Sequence, residues 1–322
     1  MKYSKIMGTG SYLPEKIVTN TDLEKILDTS DKWIRERTGI AERRVAHEDE
    51  TSSDMAEVAA QRAMRAAGVN PSEIGLLVVG TTTPDLVFPS TACLLQARLS
   101  LPDCGAMDVN AACCGFMYAL SIADKYIRCG DAKKALVIGV ENITAMIDWN
   151  DRDTAVLFGD GAGAVVLEAS DEAGILSTHI QAAGRHSDLL RVDVGVSTGF
   201  KAEPRGGILI KMKGNEVFKV AVRTLGRIVD ETLDHNNMDK SDLDWLIPHQ
   251  ANYRIISATA KKLGMTMDQV IVTVDKHGNT SAASVPLALD EAVRSGKVKR
   301  GDMLLLEAFG SGFTWASALI KY

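Results

Sequence analysis

One cysteine stands where its side chain could act as a nucleophile. Cys113 lies between a run that is predicted as a strand (105–109) and an apolar pattern of helical spacing that begins at Phe116. A helix N-terminus favours the thiolate, because its free N–H groups and its dipole stabilise negative charge. Small neighbouring residues leave room for a substrate carbonyl. We therefore interpret Cys113 as a nucleophile, although an intracellular cysteine is more often a buried structural residue.

Two polar segments later in the chain each follow a predicted buried strand. His249 lies in the segment PHQAN (248–252), and Asn279 lies in HGNTS (277–281). The carboxyl ends of strands are where clefts open in α/β proteins. Taken singly, His249 is typical of a loop histidine and Asn279 of a turn residue. Together with a cysteine at a helix start, they indicate one shared site.

This trio suits a decarboxylative condensation. The Cys113 thiolate attacks a thioester and keeps its acyl group, and a second thioester then loses carbon dioxide to give an enolate. The enolate oxygen needs two hydrogen-bond donors, which neutral His249 (through Nε2–H) and the Asn279 amide could supply. Decarboxylation needs no base to remove a carbon-bound proton. The acyl intermediate needs its own oxyanion hole, and backbone N–H groups of Cys113 and of the turn at 309–312 are candidates for its donors.

The composition indicates a globular protein and argues against a general nucleic-acid binder. The chain has 322 residues, of which 46% are hydrophobic and 24% charged, and its formal net charge is -6. Its five cysteines are scattered without C-x-x-C pairs, so we expect neither a disulfide framework nor a metal site. The first residues lack the apolar core of a signal peptide, and no apolar run is long enough to span a membrane. We expect a reduced, cytoplasmic protein without a resident cofactor.

Alternating strand and helix patterns predict an α/β fold with two similar halves. An acidic turn and a buried strand occur at 72–78 and again at 241–247. We place the N-terminal half, with the cysteine, at 1–170 and the C-terminal half, with the histidine and the asparagine, at 171–322. Cys113 and Asn279 would then lie at equivalent strand-to-helix corners, facing one pocket across a pseudo-twofold axis.

Two smaller predictions concern the first 30 residues. The run 5–10 is predicted as a strand, and Gly8 and Gly10 are interpreted as loop residues. A helix is predicted to begin near Asn20, with Leu23, Ile26 and Leu27 on one apolar face. Both predictions depend on local pattern alone.

Five short motifs follow one another along the chain in a specific combination. They are ACCGF (112–116), FGDGAG (158–163), PHQAN (248–252), HGNTS (277–281) and FGSGFTW (309–315). In this order they resemble the β-ketoacyl-[acyl-carrier-protein] synthase III family. The resemblance implies a thiolase-like fold of layered αβαβα architecture, a homodimer, and a catalytic triad of Cys113, His249 and Asn279. It further implies that an acyl-CoA primer is condensed with malonyl-acyl carrier protein to give 3-oxoacyl-acyl carrier protein, which initiates fatty-acid synthesis.

The resemblance also assigns a site for coenzyme A, which is a substrate as its thioester. Trp33, Arg37 and Arg152 match family positions at this site, and Asn215 matches a position along the pantetheine channel. From the residues alone, the segment 30–37 is typical of a solvated charged helix with Trp33 half-buried. The resemblance implies instead that the Trp33 ring and Arg152 hold the adenine.

A second set of residues is assigned to partner proteins. Because this chain is itself net negative, an acidic carrier protein needs a local basic patch on which to dock. Charges at helical spacing are usually only a solvated face. The resemblance implies docking on Gln250, Ala251, Asn252, Tyr253, Arg254, Lys219, Lys261 and Lys262. Phe88 matches a loop that crosses the dimer interface towards the partner's acyl pocket.

Two residues depart from the family pattern, and other functions stay open on the sequence. Cys114 stands where a small residue is usual, and Ser311 where glycine or alanine is common, so the primer is not determined. A thiolase would have a cysteine near Ser311, and an elongating synthase would have a histidine in place of Asn279. The alternatives are a specialised paralogue with a different primer and a non-catalytic subunit that binds acyl-CoA or carrier protein. The presence of Cys113 argues against the second.

Overall fold

The structure is a computed structural model that describes residues 2–197 and 208–322. The strands are β1 (Tyr3–Tyr12), β2 (Lys16–Thr19), β3 (Glu42–Val45), β4 (Leu76–Gly80), β5 (Gly105–Val109), β6 (Lys134–Glu141), β7 (Gly161–Ser170), β8 (Ile175–Ala182), β9 (Leu190–Val192), β10 (Ile210–Met212), β11 (Trp245–Pro248), β12 (Met303–Gly310) and β13 (Thr314–Lys321). The helices are α1 (Asn20–Leu23), α2 (Asp31–Thr38), α3 (Ser52–Ala67), α4 (Thr91–Arg98), α5 (Gly115–Cys129), α6 (Arg152–Ala155), α7 (Gly214–Asn236), α8 (Tyr253–Leu263), α9 (Val274–His277) and α10 (Ser284–Arg294).

Two mixed sheets form the framework of the protein. The first has the strand order β1-β7-β6-β4-β5, and the second has the order β11-β12-β13-β8. In the first sheet β4 pairs in parallel with both β5 and β6, and in the second β11 pairs in parallel with β12. The β4 and β6 runs are buried on both faces, which explains why their apolar residues do not alternate with polar ones. Because parallel strands end at the same edge, the segments that follow β4, β5 and β6 lie together.

Helices cover both faces of both sheets. Helices α5 and α10 lie between the sheets, where Leu120 and Leu289 share a core with Val137 of the first sheet and Leu306 of the second. Helices α3 and α4 pack on the outer face of the first sheet, and α7 and α8 pack on the outer face of the second. The resulting αβαβα layers confirm the predicted fold class. Across residues 2–197 and 208–322, no helix has the length and apolar character needed to cross a membrane.

The predicted strand at 5–10 and the helix start at Asn20 are confirmed, but two details of these predictions are wrong. Gly8 and Gly10 lie inside β1, where a Cβ on Gly10 would stand 2.3 Å from the Ala59 carbonyl oxygen. Glycine is needed there because the strand backbone packs directly against α3, not because the chain turns. Helix α1 ends at Leu23. Leu23 and Leu27 are buried as predicted, whereas Ile26 in the following turn is 58% exposed.

Candidate active site

Cys113 lies at the corner between β5 and α5. A 3-10 turn, Ala112–Cys114, joins the strand to the helix, and Ala112 starts this turn with a left-handed φ of 48°. Gly310, at the end of β12, packs against the corner, and a Cβ on Gly310 would lie 2.8 Å from the Cys113 nitrogen. The turn at 309–312 therefore contacts the backbone of the nucleophile.

The same backbone geometry recurs between α9 and α10, although the strand predicted before Asn279 is wrong, because the chain forms the short helix α9 (Val274–His277) there. A 3-10 turn, Ser281–Ala283, begins with a φ of 48° at Ser281 and leads into α10. Asn279 lies two residues before Ser281, and its Oδ1 accepts a hydrogen bond from the Ser281 N–H at 2.9 Å. Because the amide oxygen is occupied in this way, the Nδ2 hydrogens are the part of Asn279 that can act on a ligand.

A single serine hydroxyl joins the two corners. Ser281 Oγ lies 3.5 Å from Cys113 Sγ and 3.1 Å from Oε1 of Glu141, the last residue of β6. All three residues are buried. The structure thus brings the corner of the predicted nucleophile into contact with the corner that carries Asn279.

His249 follows β11 and is held through its backbone and its ring. Its N–H donates to the Glu307 carbonyl oxygen at 2.8 Å, and its Nδ1 lies 2.5 Å from Ser284 Oγ. Ser284 Oγ also accepts from the Gln250 N–H at 3.3 Å and can donate its own proton to Nδ1, an arrangement that places the ring proton on Nε2. Burial lowers the pKa of His249 to about 3. The residue is therefore a neutral imidazole with one N–H donor.

Burial also raises the proton affinity of Cys113. Desolvation raises the pKa of its thiol to about 11, with the Ser281 hydrogen bond opposing this change and the Glu141 charge adding to it. This direction is opposite to the thiolate that a helix N-terminus alone predicts, because an extra negative charge is costly in a buried site. Attack by Cys113 consequently requires a group that accepts its proton.

The three residues assigned to coenzyme A form one surface cluster. Cζ of Arg152 lies 4.8 Å and Cζ of Arg37 lies 5.7 Å from the centroid of the Trp33 ring. These are cation–π contacts. Helix α2 presents Trp33 after Ser30, whose Oγ accepts the Trp33 N–H at 3.1 Å. An aromatic ring stacked between Trp33 and Arg152 would need a separation of roughly 7 Å, so Arg152 must swing away to admit it.

Asn215 and Phe88 both lie on exposed segments. Asn215 is the second residue of α7. Phe88 is 83% exposed and continues an apolar run with Val87, which is 64% exposed, and Leu86, which is 50% exposed. Adjacent apolar side chains of this size in water are typical of a contact surface for another molecule.

Most of the basic residues predicted to contact a carrier protein are exposed on α7 and α8. Arg254 links the two helices, since its Cζ lies 5.1 Å from the Phe218 ring centroid. Lys262 instead pairs with Asp230 at 3.2 Å, which reduces the charge that it offers to a partner. The exposed residues of the predicted set are Lys219, Tyr253, Arg254, Lys261 and Lys262.

Gln250 is not available to a partner. It is 1% exposed, and its Nε2 donates to the carbonyl oxygens of Pro248 at 2.7 Å and Ile271 at 3.0 Å. Its Oε1 accepts the N–H groups of Thr273 at 2.8 Å and Val274 at 3.1 Å. The structure therefore contradicts the prediction that Gln250 contacts a carrier protein, because its side-chain amide is buried and bonded to Pro248 and to the loop before α9.

The neighbouring Asn252 also has a structural task. Its Oδ1 accepts the Arg254 N–H at 2.8 Å and so caps α8, while its Nδ2 donates to the Arg37 carbonyl oxygen at 3.1 Å. Ala251 and Asn252 are both partly exposed. Asn252 thereby ties the predicted coenzyme A helix, α2, to the predicted carrier-protein helix, α8.

Proteins similar to this chain share its sequence over the full length. Family models described as 3-oxoacyl-[acyl-carrier-protein (ACP)] synthase III and its C-terminal part match residues 107–184 and 233–322. A beta-ketoacyl-[acyl-carrier-protein] synthase III from Xanthomonas euvesicatoria is 66% identical over 320 residues, covering 99% of this chain and 98% of that protein. Another from Thioalkalivibrio sulfidiphilus is 63% identical over 322 residues, with 100% of both chains covered. The chain belongs to the β-ketoacyl-[acyl-carrier-protein] synthase III family.

The structural comparison agrees with the sequence comparison. The crystal structure of 3-oxoacyl-[acyl-carrier-protein] synthase III from Aquifex aeolicus matches with a TM-score of 0.93 at 49% identity, covering 99% of this chain and 100% of that one. The predicted family and the thiolase-like fold are confirmed. The chain is accordingly an acyltransferase of the initiating condensing type, and neither a thiolase nor a non-catalytic binding subunit.

Three polar residues of this synthase III site received no role from the sequence. Ser281 and Ser284 contact Cys113 and His249, and Glu141 contacts Ser281. A signal for Glu141 was present, since a lone acid ends the apolar run of β6 at the sheet edge where the cysteine turn lies. Within the described ranges, no group of three or more His, Cys, Asp or Glu side chains is arranged to hold a metal ion.

Proposed function

We propose that this synthase III transfers an acyl group from acyl-CoA to Cys113 and condenses it with malonyl-acyl carrier protein. The products are carbon dioxide and 3-oxoacyl-acyl carrier protein, which initiates fatty-acid synthesis. The observation that carries this proposal is the contact between the two corners. Ser281 reaches Cys113 Sγ at 3.5 Å with its hydroxyl and holds the Asn279 oxygen with its backbone N–H. A nucleophile and an amide donor are thereby fixed in one site.

In the first half-reaction, Cys113 attacks the thioester carbonyl and coenzyme A leaves as its thiol. The tetrahedral intermediate carries its negative charge on the former carbonyl oxygen. We assign backbone N–H groups of Cys113 and of the 309–312 turn as donors to this oxygen, because Gly310 packs on the Cys113 nitrogen. The acyl group remains on Sγ.

In the second half-reaction, the malonyl carboxylate leaves as carbon dioxide and an enolate forms. We assign Nε2–H of His249 and Nδ2–H of Asn279 as the two donors to the enolate oxygen. A histidine whose pKa is about 3 remains a neutral donor throughout the physiological range. The enolate carbon then attacks the carbonyl carbon of the Cys113 thioester, the C–S bond breaks, and the sulfur takes up one proton from solvent.

Substrate binding follows the surface clusters. We assign the adenine of coenzyme A to the space between Trp33 and Arg152, with Arg37 beside it, and the pantetheine arm to a path past Asn215. Coenzyme A is consumed as a substrate thioester, and the proposed chemistry uses no resident cofactor or metal.

Partner proteins are assigned to two separate surfaces. We assign docking of the acidic carrier protein to the exposed basic residues Lys219, Arg254 and Lys261, with a smaller contribution from Lys262. The exposed apolar run that ends at Phe88 supports a homodimer in which this loop is covered by the second subunit. The five free thiols fit the reducing cytoplasm.

The direct experiment supplies acyl-CoA and malonyl-acyl carrier protein together and follows carbon dioxide and 3-oxoacyl-acyl carrier protein. A panel of short straight, branched and longer acyl-CoAs identifies the primer. Formation of the condensed product from any member, at a rate that depends on both substrates, is the expected result. Absence of condensation with every primer would overturn the proposal, and activity confined to one unusual primer would favour a specialised paralogue.

A further inference from the structure

A buried carboxylate lies at the active site without a role in the chemistry described above. Glu141 is 0% exposed, and its Oε1 is 3.1 Å from Ser281 Oγ, which in turn is 3.5 Å from Cys113 Sγ. We propose that Glu141 accepts the proton of Cys113 through the Ser281 hydroxyl and so converts the thiol into the attacking thiolate. This inference rests on the proposed function, because it concerns the acylation of Cys113.

The topology of the first sheet explains why these groups meet. Strands β4, β5 and β6 are parallel, so their carboxyl ends share one edge. Glu141 ends β6, Thr82 and Thr83 follow β4, and the Cys113 turn follows β5. Ser281 reaches this edge from the second half of the chain. The relay is therefore built from all three parallel strands and from the opposite corner.

The Glu141 carboxylate accepts hydrogen bonds from Thr82 and Thr83 as well as from Ser281. The Thr82 N–H lies 3.1 Å from Oε2, and the Thr82 and Thr83 hydroxyls donate to the same oxygen at 2.9 Å and 2.7 Å. Thr83 Oγ1 itself accepts the Asn142 N–H at 2.9 Å, which directs its proton at Glu141. Donors of this kind favour the carboxylate, while burial opposes it and raises the pKa of Glu141 to about 7.

The Ser281 hydroxyl can transmit a proton because it has one hydrogen and two partners. When Glu141 is a carboxylate, the Ser281 O–H donates to it and the oxygen can accept from the Cys113 S–H. In the transfer, the S–H bond breaks and a bond forms to Ser281 Oγ, while the Ser281 proton passes to Glu141 Oε1. The products are a Cys113 thiolate and a neutral Glu141, and Ser281 then donates to the thiolate.

Charge balance favours this route over loss of the proton to solvent. An isolated Cys113 thiolate would add a second negative charge beside Glu141, and both groups are buried. The relay moves one negative charge from oxygen to sulfur and leaves the net charge of the site unchanged. After the thiolate attacks acyl-CoA, the proton on Glu141 passes to the departing coenzyme A sulfur, which leaves as a thiol. Glu141 is then a carboxylate again.

Other titratable groups around the relay do not replace Glu141 as acceptor. Cys114, beside Cys113, has its pKa raised by burial, in a direction that keeps it a thiol. His249 is neutral, but its Nδ1 is occupied by Ser284 and its pKa is about 3. Glu307 lies on β12 on the same face as Leu305, which packs with the outer helices, so the Glu307 side chain faces the α8 side of the second sheet.

The experiment measures self-acylation of Cys113 by acyl-CoA as a function of pH, by rapid quench and intact mass. In the wild type the rate should rise with pH and level off, with a midpoint near 7, because acid protonates Glu141 and removes the acceptor. Glu141→Gln should lower the rate at pH 7.5 on the order of 10²-fold and lose this midpoint. Glu141→Asp, which keeps a carboxylate, should recover part of the rate and retain a midpoint.

Ser281→Ala tests the intermediate step, since it removes the hydroxyl and keeps the backbone N–H that holds Asn279. A relay predicts that the double variant loses no more acylation than the worse single variant. Decarboxylation of malonyl-acyl carrier protein and thermal unfolding, measured on the same proteins, separate this role from a structural one, which would lower both half-reactions alike. Additive losses, or a midpoint near 7 that persists in Glu141→Gln, would overturn the inference. A wild type that is never acylated would instead overturn the proposed function.

Discussion

The corner that holds Cys113 and the corner that follows Asn279 have the same backbone and different side chains. In each, a 3-10 turn starts at a residue with a φ of 48°, Ala112 in one and Ser281 in the other. In each, an asparagine two residues earlier accepts the N–H of that residue, at 3.4 Å for Asn110 and 2.9 Å for Asn279. Position by position, Asn110 corresponds to Asn279, and Cys113 corresponds to an alanine.

The comparison refines the idea that Cys113 and Asn279 are equivalent. They lie on equivalent corners but at different positions within them. The first corner supplies a sulfur from the middle of its turn. The second supplies an amide before its turn and a hydroxyl, that of Ser281, at its start. One local backbone therefore serves both half-reactions, and the side chains decide which corner attacks and which one stabilises charge.

The largest effect is expected when the first corner is made chemically like the second. Cys113→Ala, which copies Ala282, should reduce condensation on the order of 10⁴-fold or more, because no nucleophile remains. The measurement is carbon dioxide release with both substrates present. Cys114→Ala is the matched control and should retain most of the activity. A dead Cys114→Ala and an active Cys113→Ala would reverse the assignment.

The next effect concerns the donors to the enolate. Asn279→Ala and His249→Ala should each lower decarboxylation of malonyl-acyl carrier protein by ~10²–10³-fold, the cost of one oxyanion donor, and lower self-acylation much less. Because the pKa of His249 is about 3, the wild-type rate should show no step from this residue between pH 5 and 8. Asn110→Ala removes the corresponding amide of the first corner. It should leave decarboxylation unchanged, and an equal loss there would refute the distinction between the corners.

A smaller effect is expected from the residue that orients His249. Ser284→Ala removes the hydroxyl that donates to Nδ1 and should lower decarboxylation roughly 10-fold, since the imidazole can then adopt the other tautomer. Nitrogen NMR of labelled histidine is the direct readout. The Nε2–H tautomer should dominate in the wild type and become mixed in the variant. A wild-type ring with its proton on Nδ1 would rule out this arrangement.

The smallest effects lie outside the two corners, on the predicted carrier surface. Arg254→Glu or Lys261→Glu should raise KM for malonyl-acyl carrier protein several-fold and leave acylation by acyl-CoA nearly unaffected. Lys262→Glu should do less, because Lys262 already pairs with Asp230. Lys297→Glu makes the same charge change at an exposed residue after α10, outside helices α7 and α8, and serves as the control. The wild-type KM should rise with salt, as screening acts within about 8–10 Å. An equal rise in KM for Lys297→Glu would refute the assignment of carrier-protein docking to this surface.

The elements that carry Cys113 and His249 could be predicted because their signals are local, whereas helix α9 occupies the place of the strand predicted before Asn279. Apolar runs such as Leu76–Gly80 identify buried strands, and the helix pattern after Cys113 places the cysteine at a corner. The pairing of the corners followed from the internal repeat. The strand and helix signals are local, whereas the repeat compares segments from the two halves of the chain.

The remaining features depend on contacts between distant parts of the chain. Ser281 and Glu141 are 140 residues apart in sequence and meet only when the second half closes on the sheet edge. Gln250 lies in a recognisable motif, yet its burial against the loop before α9 is a tertiary property. The thiol form of Cys113 depends on the depth of the site, which outweighs the helix start that the sequence displays.

The central claim is that Cys113 carries the acyl group at the meeting point of the two corners. The most direct measurement is incubation of the wild type with an acyl-CoA alone, followed by digestion and mass spectrometry of the peptides that contain each of the five cysteines. One acyl group on Cys113, in an amount that approaches one per chain and disappears when malonyl-acyl carrier protein is added, is the predicted result. Acylation of Cys114 or of an exposed cysteine, or an adduct on Cys113 that malonyl-acyl carrier protein does not discharge, would contradict it.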